Sequence, residues 1–170
     1  MKLYIRQKVF SWRDKTAITD ERGNPVFYAQ SEIWSVGRKI HLFDARGQEV
    51  AFISQKVLSF LPRYDIWIGG QQVAQIVREF SLFKPRYRVD GIPWHIDGDF
   101  WAHEYSMNDG QRQIMALSKH WFTWGDSYEM IVPNPQEVLL SLCVALALDA
   151  ALDSVRTNDS VVVNNMMMDM

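Results

Sequence analysis

The sequence predicts a mainly β protein, a twelve-stranded antiparallel closed barrel enclosing one C-terminal hydrophobic α-helix. Three observations carry this. From Val138 to Leu152 the chain is apolar in every direction around a 3.6-residue turn, with only Ser141 and Asp149 strongly polar, so this helix has to be surrounded. A pattern of hydrophobic residue, Ser or Thr, short turn and second alternating run recurs at Ser11, Ser35, Ser59, Ser81 and Thr123, with spacings of 24, 24, 22 and 42. Between these units, runs of period two are cut by turn residues every 8 to 12 positions or so, the rhythm of a sandwich or barrel.

The units follow in order. QKVFSWRDKTAI from Gln7 leads to the turn DERGN at Asp20 to Asn24, and SEIWSVGRKIHL from Ser31 leads to DARG at Asp44 to Gly47. QKVLSFLPRYDI from Gln55 ends at Gly69 and Gly70, and VREFSLFKPRYRV from Val77 ends at Asp90 and Gly91. The last spacing is close to two units, and IPWHIDGDFWAHEYSM, residues 92 to 107, fills it with two alternating runs around Gly98 before the turn NDG at 108 to 110. KHWFTWGDSYEMI from Lys119 completes six units of two strands. Along them Val50, Phe52 and Ser54 oppose Ala51, Ile53 and Gln55, while Tyr64, Ile66 and Ile68 oppose Arg63, Asp65 and Trp67. Closing the sheet gives the helix a wall on every side and removes exposed strand edges.

The helix start is marked by Asn134 as N-cap, Pro135 at the first helical position and Glu137 where a capping box places it. Val138 to Leu152 falls short of the roughly 20 residues that span a bilayer, and Asp149 would sit in hydrocarbon, so an envelope of protein is expected over one of lipid. Asp149 itself is expected to be paired, capped by a backbone or Arg contact, or close to the barrel mouth. Residues 1–154 read as one barrel domain and residues 155–170, with the Met cluster at 166 to 168, as a flexible tail.

Composition narrows the function. The formal charge of -2 gives no overall attraction to nucleic acid. A lone cysteine, Cys143, excludes an intrachain disulfide and a cysteine-rich metal site and fits a reducing cytoplasm. The start MKLYIRQKVF alternates instead of running apolar, which argues against a signal peptide.

Several stretches together resemble the LURP-one-related family of the tubby C-terminal-like superfamily, which also takes in tubby and the phospholipid scramblases. They are QKVFS at 7 to 11, DERGNPV from Asp20, WSVGRKIHLFDARGQEVAFISQKVLSFLPRYDI from Trp34, GDF at 98 to 100 followed by His103, WGDSYEM from Trp124 and VALALDAAL from Val144. The resemblance spans residues 2 to 153 and implies twelve strands around a central hydrophobic helix. It implies phosphoinositide binding for tubby-type members and action on lipid for scramblases, but no general reaction for the small LURP-one-like members. The basic lipid-contacting positions of tubby find no residue-by-residue match.

Among residues that could carry function, Lys84, Arg86 and Arg88 share one strand face opposite Tyr87 and Val89, and Arg63 stands in the preceding unit. Arginine forks suit phosphate oxygens, so these four are the candidate anion or lipid site; their plainer role is as solvated outward positions of the barrel. His95, Asp97, Asp99 and His103 are of ligand type for a cation, but Asp97, Gly98 and Asp99 read as a hairpin turn and no metal is assigned. Trp12, Phe60, Phe83 and Trp124 fall beside the turns, where they either plug the barrel's ends or face a membrane, and plugging is expected. No phosphate loop or nucleophile elbow is present and no cofactor is expected. The expectation is a non-catalytic cytoplasmic module, peripheral at the membrane, that binds anionic lipid head groups or a protein partner. The alternative is scramblase-like lipid handling in which the helix leaves the barrel.

Overall fold

A computed structural model describes residues 1–6, 15–32, 35–82, 84–122 and 125–168, without side chains at 6, 120–122, 125–126 and 155–168. Its twelve strands are β1 (Lys2–Arg6), β2 (Thr16–Thr19), β3 (Pro25–Ser31), β4 (Lys39–Asp44), β5 (Glu49–Gln55), β6 (Arg63–Ile68), β7 (Gln71–Glu79), β8 (Arg86–Asp90), β9 (His95–Asp99), β10 (Glu104–Asn108), β11 (Gln113–Phe122) and β12 (Gly125–Ile131). A short 3-10 turn, Pro135–Glu137, leads into α1, Val138–Met168. Over residues 155–168, where a loose tail is expected, the described backbone continues α1 to Met168; the side chains there lie outside the described set.

The strands form one antiparallel sheet in the order β8-β7-β6-β5-β4-β3-β2-β1-β12-β11-β10-β9. Neighbours in sequence are neighbours in space, and the one long-range ladder joins β1 to β12, with Leu3 opposite Met130. The barrel is nearly closed: among the described residues no ladder joins β8 to β9. Aromatic side chains pack at that seam instead, with the Tyr87 and Phe100 rings edge to face at 5.2 Å and Phe100 at 5.7 Å from Tyr105.

Alternation places the core. Leu3, Ile5, Ile18, Ile40, Leu42, Ile53, Ile66 and Ile76 point inward from the strands and meet the helix residues from Leu142 to Leu152 in one buried cluster. Small residues let the wall come close to α1, since Ala145, Ala147, Ala150 and Ala151 are all buried. Two tyrosines of the wall then fix the helix by bonding its carbonyls, Tyr64 Oη donating to Ala150 O at 3.1 Å and Tyr105 Oη to Ala145 O at 3.5 Å.

Two local expectations change. Asn134 does cap the start, its Oδ1 accepting from Gln136 N at 3.2 Å. Glu137, however, gives its carboxylate mainly to both terminal nitrogens of Arg112, at 2.9 and 2.5 Å, instead of closing a capping box. The Arg112 guanidinium holds the Glu137 carboxyl below its ordinary range. The second change is at Gly98, which is not a turn but the middle of β9, paired with Tyr105. The reversal comes at Phe100 to His103, where Asp99 Oδ1 accepts from Trp101 N and Ala102 N at 3.0 and 3.2 Å. Aspartate capped that turn from the strand end, and the period of the short run could not show it.

Two outcomes test the enclosed helix. Leu148, fully buried against the wall, when cut to alanine should lower unfolding free energy by about 2–5 kcal/mol in urea denaturation, the cost of a core cavity. Burial pushes the Cys143 thiol up to about 12, so a thiol reagent at neutral pH should label it only once denaturant opens the barrel.

Candidate functional site

An up-and-down barrel has two ends, and here they differ in chemistry. The helix enters at the end that carries the turns β2–β3, β4–β5, β6–β7, β8–β9 and β10–β11. Most of these are tight and close on themselves through aspartate. Asp20 Oδ1 accepts from Arg22 N and Asn24 N at 2.9 and 2.8 Å, and Asp44 Oδ1 from Arg46 N and Gln48 N, both at 2.9 Å. Those backbone bonds hold the Asp20 carboxyl below its ordinary range, as similar bonds do for Asp109. These turns leave few groups unsatisfied.

The helix leaves at the opposite end, and the repeated positions Ser35, Ser59 and Ser81 fall in connections there, Ser11 and Thr123 lying outside the described residues. The structure assigns the serine a local job: Ser35 Oγ donates to Gly37 O at 2.7 Å, and Ser59 Oγ to Leu61 O at 2.6 Å, the same two-residue clasp in successive units. The connections interlock. Gln55 N donates to Arg38 O at 2.7 Å, Arg78 N to Pro62 O at 3.1 Å, and Gly37 at φ +81 leaves room for Val57 where a Cβ would stand 2.5 Å from Val57 Cγ2. Arg38 ties this rim to the helix through Asp153 at 2.8 Å.

What the rim exposes is apolar. Leu58 and Phe60 are 101% and 98% exposed, and Val36, Phe80 and Leu82 are 83%, 76% and 78% exposed. With Val57 and Trp101 they make seven of the nine exposed large hydrophobic residues described, gathered at one end of the barrel. Phe60 therefore does not plug the barrel as expected, because its loop turns outward and the helix already fills the interior. Trp12, Phe83 and Trp124, of which the same was expected, lie outside the described residues. Val36, Val57, Leu58, Phe80 and Leu82 went unnoticed in the sequence; for all but Val36 the signal is a pair of apolar runs, KVLSFLP and FSLFKP, that keep going through a turn where a polar stretch is usual.

The basic candidates stand beside this patch. Arg63 and Arg86 begin β6 and β8 at the rim, and Lys84 lies in the β7–β8 connection, all three exposed. The alternation read from sequence holds for β8, where Arg86 and Arg88 face out and Tyr87 and Val89 face in. Register brings Arg63 and Arg88 together across the outer face, each opposite Val77. Arg88 is already engaged, bonding Asp90 through Nε at 2.7 Å and meeting Glu79 at 3.7 Å. Its guanidinium, with a smaller contribution from Arg63, keeps the Asp90 carboxyl below the ordinary range. Lys84, Arg86 and Arg63 enter no ion pair among the described residues and supply the free positive charge.

Two other polar groupings are present among the described residues. His95, Asp97 and Asp99 face outward on β9, while His103, at φ 55, turns inward, lies 3.4 Å from Asp149 and stacks on Tyr128. The expected partner of Asp149 is thus a histidine near the helix-exit mouth. A groove of about 370 Å³ on the outside of β4, β5 and β6 is lined by His41, Glu49, Phe52 and Trp67. There His41 bonds Glu32 at 2.9 Å and Glu49 at 3.1 Å. Neither arrangement presents convergent free donors to a ligand.

Comparison with known proteins places the fold in context. A family model described as LURP-one-related matches residues 1–149. The chain is 35% identical over 152 residues to the protein named "Uncharacterized protein YxjI" of Bacillus subtilis (strain 168), covering 89% of this chain and 94% of that protein. An X-ray structure of a protein from Arabidopsis thaliana superposes with a TM-score of 0.58 at 15% identity, over 87% of this chain and 89% of that one, which is a likeness of fold.

The interlocked loops give a measurable outcome. Gly37→Ala forces a side chain onto a left-handed residue and against Val57, so the variant should lose about 1–3 kcal/mol in thermal unfolding. Gly47→Ala, with open space around it, should lose less by the difference of crowding.

Proposed function

We propose that this chain, which belongs to the LURP-one-related family, is a non-catalytic module that docks its helix-exit rim on an anionic lipid surface. The observation that carries this reading is colocation: the exposed apolar tips Leu58, Phe60, Phe80 and Leu82 share one end of the barrel with the unpaired cations Lys84, Arg86 and Arg63. Apolar side chains can enter the acyl boundary while basic groups beside them meet head-group phosphates, the arrangement of a peripheral membrane protein. Burying tips of this kind contributes roughly 25 cal/mol for each Å² of apolar surface removed from water.

Scramblase-like handling by an emerging helix has no observation in its favour. The segment Val138 to Leu152 is enclosed and bonded to the wall, and no described helix is long and apolar enough to cross a membrane. A protein partner is the other occupant such a rim could take, and the vesicle experiment separates the two.

Cosedimentation with vesicles of phosphatidylcholine, with and without phosphatidylserine, tests the reading. The chain should bind the anionic vesicles and lose affinity as salt rises, because the exposed charges are screened. The double variant Leu58→Asp, Phe60→Asp should abolish binding at all salt concentrations. Charge reversal at Lys84 and Arg86 should weaken it mainly at low salt. No binding of the unaltered chain at low salt would rule out the lipid surface and leave a protein as the partner of the rim.

A further inference from the structure

Arg78 was not singled out by the sequence, and it stands at the mouth in an unusual state. It lies one residue from the end of β7, directly opposite Tyr87 across the β7–β8 ladder. Opposite residues of an antiparallel pair project to the same face, and here that face is the interior, since Tyr87 is 5% exposed. Arginine at an inward position costs free energy unless a carboxylate or a set of acceptors meets it.

No such partner is present among the described residues. Arg78 Nε is buried without a hydrogen bond, and so is the Tyr87 hydroxyl. Neighbouring carboxylates are occupied elsewhere: Glu79, next along the strand, faces out to Arg88 at 3.7 Å, and Asp153, on the nearby turn of α1, bonds Arg38 at 2.8 Å. Burial drives the Tyr87 hydroxyl up to about 12, with the Arg78 charge acting in the other direction, and the register sets the two residues directly across the ladder. So the phenol is a neutral donor at any physiological pH, standing beside a guanidinium fork. The Arg78 Nε–H and the Tyr87 hydroxyl, both buried with no hydrogen-bond partner among the described residues, stand across one ladder one residue inside a rim of exposed loops, an arrangement that suits an anion arriving from outside.

We propose that Arg78 and Tyr87 form a phosphate-binding site just inside the barrel mouth, filled by the head-group phosphate of an anionic lipid when the rim is docked. The proposal rests on the membrane reading for the source of the phosphate, not for its chemistry. A guanidinium fork and a hydroxyl together favour a terminal phosphate, which offers several free oxygens, over a phosphodiester, in which two are esterified. The site therefore selects phosphatidic acid over phosphatidylserine at equal surface charge. Leu58, Phe60, Phe80 and Leu82 supply insertion and Arg78 with Tyr87 supplies selection.

The test uses the full chain, vesicles carrying phosphatidic acid or phosphatidylserine at matched surface charge, and glycerol 3-phosphate and inorganic phosphate as soluble probes followed by NMR shifts of residues in β7 and β8. The unaltered chain should prefer phosphatidic acid, and glycerol 3-phosphate should compete. Tyr87→Phe removes a hydroxyl that has no partner, so it should fold at least as stably as the parent. That variant should nevertheless lose the preference by about tenfold, the worth of a charge-assisted hydrogen bond. Arg78→Met should abolish the preference and Arg78→Lys should restore part of it, while all three keep ordinary binding to phosphatidylserine through the rim. Unchanged selectivity in Tyr87→Phe and Arg78→Met would overturn the site and leave the rim reading intact. Shifts with glycerol 3-phosphate that depend on Arg78, in a chain that binds no vesicles, would uphold the phosphate site and overturn the lipid source along with the membrane reading. Absence of both kinds of binding would overturn both.

Discussion

The constraint on which this structure depends is a helix with no polar face. From Leu142 to Leu148 every residue is buried, Ser141 just before them is too, and nothing on α1 can be offered to water over that length. A bundle or a two-layer packing covers one stripe of a helix, whereas a sheet rolled around it covers all of them. The alternation of the strands, the small residues of the helix and the large ones of the wall are all consequences. So are the two wall tyrosines, because a smooth apolar rod in an apolar sleeve has no preferred rotation. Bonds from Tyr64 and Tyr105 to the carbonyls of Ala150 and Ala145 give it one.

Threading a helix through a barrel also makes the two ends unequal. At the entry end, aspartates cap short turns and Arg112 clamps the helix start through Glu137, so polar groups are satisfied locally. At the exit end the connections must pass around the emerging helix, and the structure shows longer loops held to one another by backbone bonds with their apolar side chains turned outward. The polarity of the molecule runs along the helix axis.

Most of the fold was legible because its signals are periodic. Strand alternation in β4 to β8, the Asp and Gly turns of the entry end and the greasy run from Val138 onward each state their own structure. The six-fold repeat counted the strands correctly even where one unit was degenerate. Gly98 misled because a glycine with φ 145 inside a strand, pressed against the backbone of Glu104 and Tyr105, looks in sequence like a glycine in a turn. The site was less legible. Arg86 and Arg88 could be placed on an outer face by alternation, but pairing of Arg88 with Asp90 and Glu79 depends on register across β7 and β8. Phe60 carries no local mark that separates a plug from a protruding tip. Arg78 sits in an otherwise ordinary strand, and its lack of a partner exists only in three dimensions.

The order of strands and helix along the chain has a consequence for how the protein is made. Ten of the eleven ladders join strands adjacent in sequence, so hairpins can form while the ribosome is still at work, each from local contacts with little loop entropy to overcome. Their inward faces stay exposed, since the helix that fills them is translated after β12 and the β1 to β12 ladder needs the last strand as well. A nascent chain thus carries a growing, uncovered apolar sheet until α1 emerges, and the final stretch of translation is when the sleeve gains its contents.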